Sequence, residues 1–144
     1  MKISAFPKCY IDEISVKRTM SIFDWIEKSK ILGAEGLEMY EGFFTSLDDA
    51  YIDSVGEAIH KAGYEMPMLC ASPNFTAPDP DERKRSIEHQ VDMIRVTSRL
   101  GGPKAACRVL SGQRYPEVSR EQGVEWVVAS IKSLLPVARE YDVV

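Results

Sequence analysis

Four times along the 144 residues, a short apolar run gives way to a polar stretch and then to an amphipathic segment closed by glycine. Short apolar runs bounded by turn residues predict strands, and apolar positions three and four apart predict helices. Residues 3–6 form the first run. The first helix opens at Ser21, whose hydroxyl can cap free amides while Asp24 sits in the reciprocal position. Ile22 and Ile26 share its apolar face, with Trp25 and Leu32 alongside, and Gly33 offers the left-handed stop. The second unit has its strand at 36–40, a cap made by Ser46 with Asp49, and a row of Ile52, Val55, Ile59 and Ala62 before Gly63. In the third, the strand covers 66–71 and the helix starts at Asp79-Pro80-Asp81-Glu82, with proline where its missing N–H costs nothing. Ile87, Val91 and Ile94 form the expected buried row of that helix, and Gly101 ends it. The fourth strand covers 105–110. Ser119 with Gln122 caps the last helix, along which Val124, Val128, Ile131, Leu135 and Ala138 follow one row. Pro136 lies inside that row and is expected to kink it, because it removes a backbone donor.

Strands alternating with helices imply an α/β fold with a parallel sheet and right-handed crossovers. The closing residues Tyr141-Asp142-Val143-Val144 read as the opening of a fifth strand. The expectation is therefore one partial domain over 1–144, the N-terminal half of an eight-stranded β/α barrel, too short to be a complete enzyme by itself. Helix-to-strand links are short, whereas the strand-to-helix links 7–20, 41–45, 72–78 and 111–118 are long and carry proline, aromatic and polar residues. In β/α barrels the strand-to-helix loops build the working face, so this asymmetry locates the site without giving its chemistry. An open doubly wound sheet is the alternative. The turn after the first strand, Phe6-Pro7-Lys8-Cys9-Tyr10, has no glycine, and no GxGxxG or GxxxxGK[ST] occurs in the chain. Within the apolar strands, Glu38 and Arg108 are charged. If both point inward, alternate strands bring them into one layer, where they pair or face a polar ligand; otherwise Glu38 reaches solvent and Arg108 caps the sheet end.

Hydrophobic residues make up 44% and charged residues 28%, a globular balance. The net charge of −4, with basic residues scattered, gives no footprint for a polyanion, so no nucleic-acid partner is expected. No apolar run is long enough to span a bilayer and the start is too short to be a signal peptide, so no membrane partner is expected. Cys9, Cys70 and Cys107 are odd in number and lack a CxxC spacing, which fits reduced thiols and a cytoplasmic location.

Several residues that could carry chemistry have plainer uses. His60 and His89 fall within predicted helices and read as surface or boundary residues. Asp48, Asp49, Asp79, Asp81 and Glu82 lie at helix starts, where carboxylates complement the dipole. Cys70 and Cys107 read as small buried residues, and Cys9 has no neighbouring base. Phe43, Phe44 and Tyr115 either line a pocket or shield the mouth of the barrel. Ser72, Asn74, Gln113 and Arg114 sit just after strand ends and offer donors and acceptors suited to hydroxyl or phosphate groups. With Glu38, Tyr40 and Arg108 they are the candidate substrate contacts; no catalytic residue and no metal ligand is assigned.

The segment Met66-Pro67-Met68-Leu69-Cys70-Ala71-Ser72-Pro73-Asn74-Phe75-Thr76, followed by Pro78-Asp79-Pro80, resembles the third strand and loop of sugar phosphate isomerase/epimerase proteins, in the xylose-isomerase-like TIM barrel superfamily. Cys107-Arg108-Val109-Leu110-Ser111-Gly112-Gln113-Arg114, with Pro116-Glu117-Val118-Ser119-Arg120-Glu121-Gln122-Gly123, resembles the fourth strand and loop of one branch of it. The opening Met1-Lys2-Ile3-Ser4-Ala5-Phe6-Pro7-Lys8 and Gly36-Leu37-Glu38-Met39-Tyr40 are similar as well, so the resemblance covers the whole chain. It implies a (β/α)8 barrel that uses a divalent metal (Mn, Mg, Co or Zn) to isomerise or epimerise a sugar, polyol or sugar phosphate by proton transfer next to a carbonyl. The resemblance places the metal ligands, two glutamates, an aspartate and a histidine, on the fifth to eighth strands, beyond Val144. The chain alone is thus expected to bind no metal and to lack turnover. Its other reading is a non-catalytic half-barrel that self-associates as a homodimer or pairs with a complementing C-terminal half, because open sheet edges invite pairing. The DNA-repair endonuclease branch of the superfamily is disfavoured by the acidic balance, and an open-sheet binding module is the last alternative.

Overall fold

The computed structural model describes residues 2–144; Met1, where the family-like opening segment begins, lies outside the described residues. Among the described residues there are five strands: β1 (Ser4–Ala5), β2 (Gly36–Leu37), β3 (Met39–Tyr40), β4 (Met68–Ala71) and β5 (Ala106–Val109). The expected strand at 36–40 is divided at Glu38. Its first part pairs with β1 and its second with β4, so one segment serves two neighbours. Every pairing is parallel, β4 also pairs with β5, and a bridge between Gly36 and Glu65 spans the division. Neighbours in the sheet follow their order in the chain. A doubly wound sheet reverses that order at its switch point, whereas a barrel wall keeps it. The fold is thus an α/β half-barrel with an unclosed wall.

The expected opening of a fifth strand also takes shape. Lys104 N donates to Asp142 O at 2.7 Å, Val144 N to Ala105 O at 3.1 Å, and Cys107 N to Val144 O at 2.8 Å. Residues 142–144 therefore extend the ladder beyond β5, and Val143 is buried.

Side chains alternate across a strand, and here the two faces differ sharply in chemistry. Leu37, Met39, Leu69 and Ala71 are fully buried under the helices, while Glu38, Tyr40, Cys70 and Arg108 point to the other, concave side. The helices are α1 (Ile11–Ser15), α2 (Ile22–Ser29), α3 (Asp49–Lys61), α4 (Pro80–Gly101) and α5 (Arg120–Glu140). The short helix α1 lies within the expected strand-to-helix link 7–20, where Ile14 anchors it in the core. The main core joins α1, α2, α3 and α4 to the outer face of the sheet, and a smaller one around Phe75, Ile94, Leu134 and Val143 lies under α5.

The caps largely follow the sequence. Ser21 and Asp24 form a complete capping box, Asp79 caps α4 ahead of Pro80, and Ser119 accepts from Gln122 N. Gly33 takes the left-handed conformation at φ 63. The cap of α3 is a correction: Asp48, not Ser46 with Asp49, accepts from Tyr51 N at 2.8 Å, and Ser46 braces Asp48 through its own amide and carboxylate. One helix row is corrected as well, and a second proves uncovered. In α4 the buried residues are Gln90, Met93, Ile94, Val96, Thr97 and Leu100, with Ile87 and Val91 only half-buried. In α5, Ser130 and Leu134 are buried, while Val124, Val128, Ile131 and Leu135 are exposed, because nothing among the described residues packs on that side. The helix runs through Pro136 to Glu140.

Candidate functional site

Phe6, Lys8, Glu38, Tyr40, Ser72 and Arg108 line a cavity of about 470 Å³ on the concave face, with Met68 and Cys70 in its floor. The strands place them there by alternation. Tyr40, Cys70 and Arg108 lie level with one another across three neighbouring strands, and Glu38 lies one layer deeper. That difference in level explains why the expected Glu38–Arg108 pair does not form: among the described residues no Arg108 ion pair lies within 4.0 Å, and Glu38 Oε1 accepts instead from Ser4 Oγ at 2.6 Å. Arg108 Nη1 reaches only Cys70 Sγ, at 3.7 Å. The guanidinium is exposed and faces the cavity.

The rim is built by the loops that follow β3, β4 and β5. Glu41, the first residue after β3, accepts from Ser72 N at 2.6 Å and meets His89 Nε2 of α4 at 2.7 Å. The carboxylate partner holds His89 above the usual histidine range, against an opposing effect of burial. Asn74 donates to Glu82 at 2.7 Å and to the Tyr115 hydroxyl at 2.6 Å, so both of its N–H groups are engaged within the loops. Thr76 Oγ1 donates to Gln113 O at 2.7 Å and accepts from Gln113 N at 2.9 Å, which ties the loop after β4 to the loop after β5. Gly112 stands at that junction with φ 137, and a Cβ there would lie 2.2 Å from Thr76 Oγ1. Only glycine fits both the conformation and the space.

The seven residues singled out in the sequence do not form one cluster. Glu38, Tyr40, Ser72 and Arg108 share the concave cavity. Asn74 sits with Ser72, Glu41 and His89 around a rim cavity of about 440 Å³. Gln113 and Arg114 line a third, of about 710 Å³, between the loop after β5 and the exposed side of α5. Phe43 and Phe44 are buried in the core on the helix side, so they neither line the cavity nor shield the mouth; Tyr115 holds Asn74. Lys8, Glu41 and the His89 contact were missed. A carboxylate directly after a strand, at the end where barrels work, was the available signal for Glu41.

Cys107 packs between the sheet and α4, and burial pushes its thiol up, away from the thiolate form that a nucleophile needs. Among the described residues no three of His, Cys, Asp and Glu converge to hold a metal ion, so the residues present do not fit the divalent metal implied by the resemblance. No described helix is long and apolar enough to cross a membrane.

Residues 26–144 match the family described as xylose isomerase-like TIM barrel. Among curated proteins none matches. The D-psicose 3-epimerase of Clostridium cellulolyticum H10, solved with D-tagatose, superposes with a TM-score of 0.77 at 22% identity, over 99% of this chain and 50% of its own. Protein SMc04130 of Sinorhizobium meliloti 1021 gives 0.75 at 16% identity, over 99% and 48%. A D-allulose 3-epimerase of Methylomonas sp. in complex with D-allulose gives 0.68 at 14%, over 99% and 49%. At these identities the likeness establishes the fold alone. The chain spans about half the length of the solved proteins it matches.

Proposed function

The chain belongs to the xylose isomerase-like TIM barrel family, and from that premise we propose that residues 1–144 are one partial barrel domain whose concave face is half of a sugar-binding site, of the kind a ketose isomerase or epimerase uses. The observation that carries this reading is the chemistry of the inner face. A carboxylate, a phenol, a serine and a guanidinium surround one cavity on the side of the sheet away from the helices. Such a set supplies donors and acceptors together, as a polyol or a sugar phosphate requires. Glu38 is oriented by Ser4 and can accept from a sugar hydroxyl; Arg108 and Lys8 donate, and Tyr40 can do both.

Isomerisation and epimerisation at a carbon next to a carbonyl need a base, an acid and a stabiliser of the developing oxyanion. We assign none of these to this chain. A divalent metal of the family, Mn, Mg, Co or Zn, would polarise the carbonyl oxygen; among the described residues no three donors converge to hold it, and no step is derived through it. The three free cysteines support a reducing compartment such as the cytoplasm, and the net charge of −4 supports a small-molecule partner over a nucleic acid.

Titration of the chain with D-fructose, D-tagatose and D-psicose, followed by NMR, tests the reading. Saturable shifts at Glu38, Tyr40, Ser72 and Arg108 are expected, with no epimerisation in the presence of Mn²⁺ or Mg²⁺. Ligand shifts that avoid the inner face, or clear turnover by this chain, overturn it.

A second reading, a half-barrel that self-associates or takes a complementing half, is favoured by apolar residues exposed on the two flanks of the wall. Ile31 and Leu32 are exposed beyond α2, and Val124, Val128, Ile131 and Leu135 along α5. The outward sides of α3 and α4 carry no large exposed apolar residue.

A further inference from the structure

Glu41 has both carboxylate oxygens engaged and a side chain only 16% exposed. Oε1 accepts from the backbone N–H of Ser72, the first residue after β4; Oε2 faces Nε2 of His89, two turns into α4. One side chain thus joins the ends of two neighbouring strands to the helix that covers them. Its position relative to the cavities matters more. Ser72 lines both the concave cavity and the rim cavity, whereas Glu41, Asn74 and His89 line only the rim. The Glu41 carboxylate therefore stands in the wall between the two, on the far side of Ser72 from any bound sugar.

We propose that Glu41 is a positioning residue for the concave site: it fixes Ser72 at the cavity edge, and His89 fixes Glu41. The inference rests on reading the concave face as a sugar site. A loop that begins with Ser72-Pro73 has little else to hold its first amide, since that N–H points out of the ladder and toward the carboxylate. A carboxylate shared by two donors also loses rotamer freedom to both, so the loop end is held more firmly than by either bond alone. The groups that bear on His89 are Glu41 from the loop after β3 and Asp92 on its own helix, with Glu82 and Arg85 around the same cavity. Charge on the imidazole strengthens the clasp, and the raised affinity of His89 for its proton is the counterpart of the same contact.

The chain has two histidines, which makes the imidazole titration readable by NMR, and Ser72 hydrogen exchange reports the clasped amide directly. Glu41→Ala is expected to lower the His89 midpoint and to speed Ser72 exchange about 10-fold or more, the size of a lost charge-assisted hydrogen bond. Glu41→Gln, which keeps a neutral acceptor, is expected to restore most of the Ser72 protection and to leave the His89 midpoint low. His89→Gln, on the exposed surface of α4, tests the same clasp without touching the sheet and is expected to weaken Ser72 protection about 3-fold. Ketose binding is expected to weaken in step with Ser72 exchange in all three variants. Wild-type values for both Ser72 exchange and the His89 midpoint in a folded Glu41→Ala chain overturn the proposal. A wild-type chain that binds no ketose, while Glu41→Ala still moves both readouts, supports the clasp and overturns only the sugar reading.

Discussion

Helices α4 and α5 are almost the same length, 22 and 21 residues, yet α4 buries six residues and α5 only two. Composition runs the other way. The α4 segment is the more polar, and two of its buried residues are Gln90 and Thr97. Thr97 donates to Met93 O at 2.7 Å and Gln90 donates to Cys107 Sγ at 3.1 Å, so their donors enter the core partnered. Among the described residues, helix α4 packs between α3 and α5, whereas α4 is the one helix against which α5 packs extensively. The apolar content of a helix records the neighbours it is suited to; its burial records the ones it has. In α5 the two disagree along the whole row of Val124, Val128, Ile131 and Leu135.

Core truncation gives the largest contrast between the two helices. Met93→Ala is expected to destabilise the chain by about 2–5 kcal/mol in urea unfolding, through lost burial and a residual cavity. Leu135→Ala is expected to stay within about 0.5 kcal/mol, as at other exposed positions. Equal effects would mean that α5 is covered in solution. A smaller effect on stability, with a larger one on association, is expected from replacing Val124, Val128, Ile131 and Leu135 together by serine. Gel filtration should then show a smaller apparent size, and an apolar dye should bind less. Unchanged elution and dye binding would remove this row as an adhesive surface.

The smallest effect concerns the two seams of α4. Toward α3 it is laced by charge: Arg99 grips Asp53 at 2.5 and 2.7 Å, and Arg95 meets Asp49 at 2.6 Å. Toward α5 the comparable contact is Arg83 stacked 4.0 Å above the Trp126 ring. The Arg99 hydrogen bond holds the Asp53 carboxyl below the usual carboxylate range. Its contribution is therefore present above the ordinary aspartate value and lost as pH falls through the lowered one. Protection against amide exchange, corrected for the intrinsic rate at each pH, is expected to fall along α3 at pH 3 relative to pH 6, with a weaker change along α5. Asp49, Asp53 and Arg99 are exposed, so the change is modest and shrinks in salt.

Much of the fold was legible because it depends on local chemistry. Ser21 with Asp24, Asp79 before Pro80, and Ser119 each mark a helix start by supplying an oxygen to free amides, and that requirement does not depend on the rest of the molecule. The buried row of α4 differs from the expected one because periodicity identifies an apolar row without saying what lies beside it. Ile87 and Val91 lie toward α5, while the face turned to the sheet carries a glutamine and a threonine that no hydrophobic pattern selects. The cap of α3 shifted to Asp48 because Ser46 folds back onto it, a two-residue turn that competes with a direct cap. For the site, the sequence left Glu38 and Arg108 either an inward or an outward place, and the register of the strands puts both, with Tyr40, on the concave face. The Glu41–His89 contact spans 48 positions in the chain and joins a loop to the middle of a helix, so no spacing rule exposes it.

The order of the wall carries a consequence for how the molecule comes into being. Ser4–Ala5 serves Gly36–Leu37, Met39–Tyr40 serves Met68–Ala71, that strand serves Ala106–Val109, and this last receives residues 142–144. No strand awaits a later one for its template. A chain emerging from the ribosome at about 5–20 residues per second can therefore lay down each unit on a finished edge, so that the growing edge advances with each strand while the free side of β1 stays as it began.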